Sequence, residues 1–209
     1  MKKIWVAIIL AGVVVLPRMG MAQAQDVDPV GQAVKTYFAA SFERLKAVAD
    51  KKPTVDTLRT DMAPLVKQTD GFFGGTLIDT NFVIRQVYNP RDFLARGFDL
   101  KKVRQLDDFW VMMQRAPSPQ LSEPAHGNIM QPRLIAMRYP VVTDGRLVAI
   151  VSMMVRTGTF LKATGLDRCK GYRITCRGVL AEEYGKLAGD VRRVALALPA
   201  TEWVIEYAP

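Results

Sequence analysis

Apolar residues recur at helical spacing from Val30 through Val34, Tyr37, Phe38, Phe42, Leu45 and Val48. Asp28-Pro29 ahead of them reads as an N-cap with proline at the first helical position, so a helix is predicted near 29–50, ended by Lys51, Lys52 and Pro53. A shorter helix follows from Thr54 to about Leu65, with Val55, Leu58, Met62 and Leu65 on one side and Pro64 weakening its last turn. The pattern then turns to β: Thr76-Leu-Ile, an Asp79-Thr-Asn81 turn and Phe82 to Tyr88 read as a hairpin. Asn89-Pro90 opens a short helix ending at Gly97, and Asp99 caps another with Leu100, Val103, Leu106, Trp110 and Met113 on one face. Pro117 to Pro132 holds four prolines and reads as a long loop.

Two strands, Arg133–Val142 and Arg146–Thr157, flank the Asp144-Gly145 turn. Phe160 to Thr164 predicts one helical turn stopped by Gly165. Tyr172 to Ala181 predicts a strand or a hairpin through Arg177-Gly178, and Lys186 to Leu198 a partly helical stretch. Trp203 to Tyr207 is a last strand. The order of elements is an α+β layout: one antiparallel sheet with a long N-terminal helix, and helices plus the long loop over one face. No internal repeat or linker divides the chain after residue 24, so 25–209 is expected to be a single domain.

The first residues carry a different pattern. Lys2 and Lys3 precede 13 uncharged residues, Ile4 to Leu16, and Pro17 and Ala22-Gln23-Ala24 follow. This is the three-part arrangement of an export signal, with cleavage expected after Ala24; the alternative is an uncleaved anchor. The apolar run is short for a membrane span of ~20 residues. Cleavage lowers the formal charge from +9 to +6, because Lys2, Lys3 and Arg18 leave with no acidic residue. The location is then periplasmic or secreted, with a mature chain that does not span the membrane. The remaining basic residues are spread along the chain and make a solvated surface or meet an anionic partner; no nucleic-acid motif accompanies them.

Cys169 and Cys176, the two cysteines of the sequence, are seven positions apart. In an oxidising compartment they are expected to close a disulfide loop, the alternative being two separate thiols. The one histidine, His126, lies in loop composition, which argues against a zinc site and against a Ser-His-Asp or Cys-His catalyst. No cofactor or metal is expected.

Gly75-Thr-Leu-Ile-Asp79 with Val83-Ile84, Arg138-Tyr-Pro-Val-Val-Thr-Asp-Gly145 followed by Leu147 to Ser152, and Phe160 to Leu166 come in an order that resembles a single Cache (extracellular PAS-like) sensor domain over about 72–207, with the 29–50 helix as its N-terminal helix. The resemblance implies a pocket between one sheet face and the helices with the long loop, and a ligand-binding role without catalysis. Such sensors usually belong to transmembrane receptors, whereas this chain shows neither a second membrane helix nor an output domain, which implies a free-standing module with a membrane-bound receptor or envelope protein as partner. Aromatic walls and a few placed polar groups make such pockets. Tyr88, Trp110, Arg133, Arg138 and Tyr139 are the candidates, with an arginine pairing a ligand carboxylate, such as that of an organic or amino acid. In an unbroken strand Arg133 and Arg138 face opposite ways, as do Arg138 and Tyr139, so only some of these enter one pocket. Two other readings stand beside this one. One is an envelope structural or interaction protein whose pocket Trp110 and Met113 fill; the other is a secreted hydrolase, for which no carboxylate pair or activated nucleophile stands out.

Overall fold

In the computed structural model, which describes residues 28–89, 95–103, 106–124 and 133–209, the N-terminal helix α1 spans Pro29–Ala49. Its cap forms as the sequence predicts: the Gly31 N–H donates to Asp28 Oδ1 at 2.7 Å. Val30, Val34, Phe38, Phe42, Leu45 and Val48 are its buried stripe. The second predicted helix divides at Pro64 into α2 (Leu58–Met62) and α3 (Leu65–Gln68). The expected export signal, His126 and parts of the 90–97 and 117–132 segments lie outside the described residues.

The strands are β1 (Phe72–Ile78), β2 (Ile84–Val87), β3 (Gln120–Leu121), β4 (Leu134–Thr143) and β5 (Arg146–Arg156), then β6 (Gly171–Cys176), β7 (Val179–Gly185), β8 (Arg192–Leu198) and β9 (Thr201–Ala208). Helix α4 (Asp107–Arg115) precedes β3, and α5 (Thr157–Thr164) follows β5. Asp99 caps a short 3-10 turn, Leu100–Lys102, in place of the start of the longer helix the apolar spacing predicts. Asp144 and Gly145 take positive φ, 51° and 74°, in the tight turn between β4 and β5.

The fold class is α+β with antiparallel strands throughout, but the single sheet of the sequence reading is corrected to two. One has five strands in the order β2-β1-β5-β4-β3, the other four in the order β7-β6-β9-β8. The chain leaves β5 into α5, ends that helix at Gly165 with φ 79°, and makes a 3-10 turn over Leu166–Arg168. β6 therefore starts away from the first sheet, and the last four strands pair among themselves.

Lys186 to Leu198 is also corrected: it carries β8, not helix. The two cysteines are free, which overturns the disulfide. Cys176 ends β6 and Cys169 precedes it. At about 3.3 Å per residue the strand holds them roughly 15–20 Å apart, and a disulfide needs less than about 7 Å between Cα atoms.

One apolar core joins both sheets to α1. Leu77, Val151, Met153, Met137 and Ile135 come from the first sheet, and Tyr172, Ile174, Leu196, Trp203 and Ile205 from the second. At its centre Phe38 stacks on Phe160 at 5.1 Å and meets Trp203 edge-on at 5.3 Å, locking α1, α5 and β9 together. The Tyr207 hydroxyl donates to Asp28 Oδ2 at 2.8 Å and ties the last strand to the start of α1.

Candidate functional site

The first sheet has two faces, and its register assigns every residue to one of them, because directly paired residues point the same way. One face meets α1. The other receives α4 and carries a cluster of its own: Ile78, Ile84, Val87 and Ile150 beneath Phe82, Phe109, Trp110 and Met113. Across the middle of this second face runs one polar row. Thr76 pairs with Ser152, Ser152 with Arg138, and Arg138 with Gln120. Thr76, Ser152 and Gln120 are buried, at 6%, 4% and 5% exposure, where apolar side chains would ordinarily sit. The next row, Gly74–Met154–Ala136, is low because two of its three side chains are minimal.

Arg138 is the charged member of the row. Its guanidinium lies 4.5 Å from the centre of the Phe109 ring, a cation–π placement. Phe109 in turn touches Trp110, with ring centres 4.3 Å apart. Among the described residues, no carboxylate comes within ion-pair distance of Arg138. The side chain keeps some exposed surface, yet desolvation lowers its pKa to about 10, opposed by the negative charge of Glu123. It stays protonated at neutral pH, a partly desolvated cation with no anion in contact among the described residues. Two buried donors of the same face also lack an acceptor, Gln120 Nε2 and Trp110 Nε1.

The structure therefore brings together two of the five candidates, Trp110 and Arg138. Tyr139 pairs with Val151 and packs on the α1 side. Tyr88 meets Phe72 edge-on at 5.6 Å, also on the α1 side. Arg133 stands just before β4 and forms an ion pair with the buried Glu182 of β7, linking the two sheets. Thr76, Ser152, Phe109 and Gln120 were not among the candidate site residues of the sequence reading. A polar residue inside an apolar strand marks the first two; nothing local marks Gln120, whose two-residue strand is embedded in the proline-rich segment. A concavity of about 410 Å³ lies elsewhere, between α1 and α3, with Glu43, Arg44, Lys51, Asp61 and Leu65 in its lining. Its Lys51 and Asp61 are already paired at 3.6 Å.

Solved structures share this architecture. An extracellular ligand-binding receptor from Desulfohalobium retbaense superposes with a TM-score of 0.66 at 13% identity, over 86% of this chain and 39% of its own. The fold is Cache-like. The ligand-binding domain of the Pseudomonas aeruginosa amino acid chemoreceptor PctC, in complex with GABA, matches with a TM-score of 0.60 at 13% identity, over 85% of this chain and 94% of its own. That of the Pseudomonas fluorescens chemoreceptor CtaA, in complex with L-alanine, gives 0.60 at 12% identity, over 85% and 91%. The chain thus spans well under half of the first of these and nearly all of the other two. No protein-family model matches the sequence, and no curated protein does. Among the described residues no helix is long and apolar enough to cross a membrane.

Proposed function

We propose that the chain is an exported sensor-type binding module that captures a small carboxylate on the α4 face of its first sheet. The observation that carries this reading is Arg138, partly desolvated and, among the described residues, without a carboxylate partner beside Phe109. A guanidinium fork offers two parallel donors to a carboxylate, and a site stripped of water strengthens the pair. The likeness to extracellular ligand-binding domains supports the same reading. The mature form would be residues 25–209 as one domain, working by binding without turnover and presenting its occupied state to a membrane-bound receptor or envelope protein.

Titration calorimetry of the leader-free chain against short organic acids and amino acids tests it. At least one acid binds, and Arg138→Gln weakens that binding by about a hundredfold, as loss of a buried charged partner does. An Arg138→Gln protein that melts normally and binds as tightly as wild type would falsify the proposal. The interaction-protein reading draws on Phe109, Trp110 and Met113, all buried, which fill part of this face. In that case no acid in the panel raises the melting temperature.

A further inference from the structure

We infer that this face selects acids bearing an acceptor oxygen next to the carboxylate, such as 2-hydroxy and 2-oxo acids, over plain acids and amino acids, and that Gln120 reads that oxygen. The inference rests on the carboxylate site proposed above and adds its specificity.

Gln120 and Arg138 are direct partners across β3 and β4. Paired side chains stand on one face with Cβ atoms about 5 Å apart. A carboxylate seated on the Arg138 fork therefore holds its neighbouring carbon within reach of the Gln120 amide. That amide is 95% buried, its exposure being 5%, and its Nε2 has no acceptor. A buried donor without an acceptor is costly, and a ligand oxygen arriving there removes the cost. Trp110 Nε1, on the same face, is a second donor in that condition. Orphan donors occur elsewhere, Trp203 Nε1 in the main core among them. What sets Gln120 apart is its place beside a desolvated cation.

The charge pattern points the same way. An ammonium group donates only, so it satisfies neither Gln120 Nε2 nor Trp110 Nε1, and it would sit next to the positive Arg138. Among the described residues the strands of this face bring no Asp or Glu to it. On α4, Asp107 and Asp108 are exposed, and Asp108 pairs with Arg177 at 3.1 Å. Glu123, exposed after β3, acts on Arg138 from outside ion-pair distance.

Two matched sets of acids decide the matter: propionate, L-lactate, pyruvate and L-alanine, and the same four substituents on the isovalerate skeleton, all titrated calorimetrically into the leader-free chain. In at least one set the hydroxy or oxo acid binds at least about tenfold tighter than both the plain acid and the amino acid. Gln120→Leu and, as a volume-matched second variant, Gln120→Met bring that acid down to the plain acid's affinity and leave the plain acid unchanged. If in both sets the plain acid or the amino acid binds as tightly as the hydroxy and oxo acids, the specificity is overturned and the carboxylate site stands. An unchanged preference in either variant overturns the specificity in the same way. If none of the eight binds the folded protein, the carboxylate site itself fails, and the specificity with it.

Discussion

A guanidinium partly desolvated over an aromatic ring is costly unless something negative arrives, and Arg138 is in that position. The thiols show the opposite case, in which burial makes a reactive group inert. Burial pushes Cys176 up to about 12, and desolvation raises Cys169 as well. A raised thiol pKa lowers the thiolate fraction at any pH below it, and the thiolate is the nucleophile. Cys169 keeps some exposure and its S–H donates to the Gly165 carbonyl at 3.7 Å. In the folded protein at pH 8, iodoacetamide should therefore label Cys169 well before Cys176, and peptide mapping under non-reducing conditions should find both as thiols. A Cys169–Cys176 cross-linked peptide would contradict the separation that β6 imposes. Arg138 and Trp110 were legible as candidates because a basic residue and a large aromatic stand out in any apolar run. Gln120 was not, since its role comes from the strand it pairs with.

At the scale of elements, close backbone approach shapes the second sheet. Gly185 has a φ of 65°, and a Cβ there would come 2.1 Å from the Lys170 carbonyl oxygen. Gly178 has a similar φ, 79°, but open space around it. Gly185→Ala should therefore cost about 2–4 kcal/mol, strain plus steric conflict, whereas Gly178→Ala should cost about 1 kcal/mol from backbone strain alone. Urea midpoints of the two variants measure the difference, and equal midpoints would remove the steric argument. The same sheet shows why β8 was misread as partly helical. Alanine and leucine in Arg192–Leu198 have good helix propensity. Yet Val194 and Leu196 face the core while Arg193 and Ala197 face water, an alternation that pairing with β9 enforces.

For the whole molecule, the two clusters share the first sheet. β1 and β5 present Leu77 and Val151 to the main core, and Ile78 and Ile150 to the α4 cluster. Trp203 belongs to the former and Trp110 to the latter. The main core takes side chains from both sheets and the α4 cluster shares β1 and β5 with it, so both sheets should unfold in one transition. In residues 25–209, which exclude Trp5, Trp203→Phe leaves Trp110 as the fluorescent reporter and Trp110→Phe leaves Trp203. Each should trace the same urea curve as its own far-UV circular dichroism. Separate midpoints would show that the second sheet is an autonomous unit.

Periodicity, caps and turn residues by themselves determined α1, the β4–β5 hairpin and its Asp144-Gly145 turn, the stop at Gly165 and the final strand. Each of these depends on residues within a few positions of one another, where the energies of capping and amphipathic burial act. The tertiary structure alone decided that the strands divide into two sheets, that Tyr88 and Tyr139 face α1, and that Thr76, Ser152, Arg138 and Gln120 line up in one row. Arg138 and Ser152 share the β4–β5 hairpin, but Thr76 and Gln120 join them from strands outside it. Register between distant strands is set by the summed burial of whole faces, and no local stretch of sequence carries that sum.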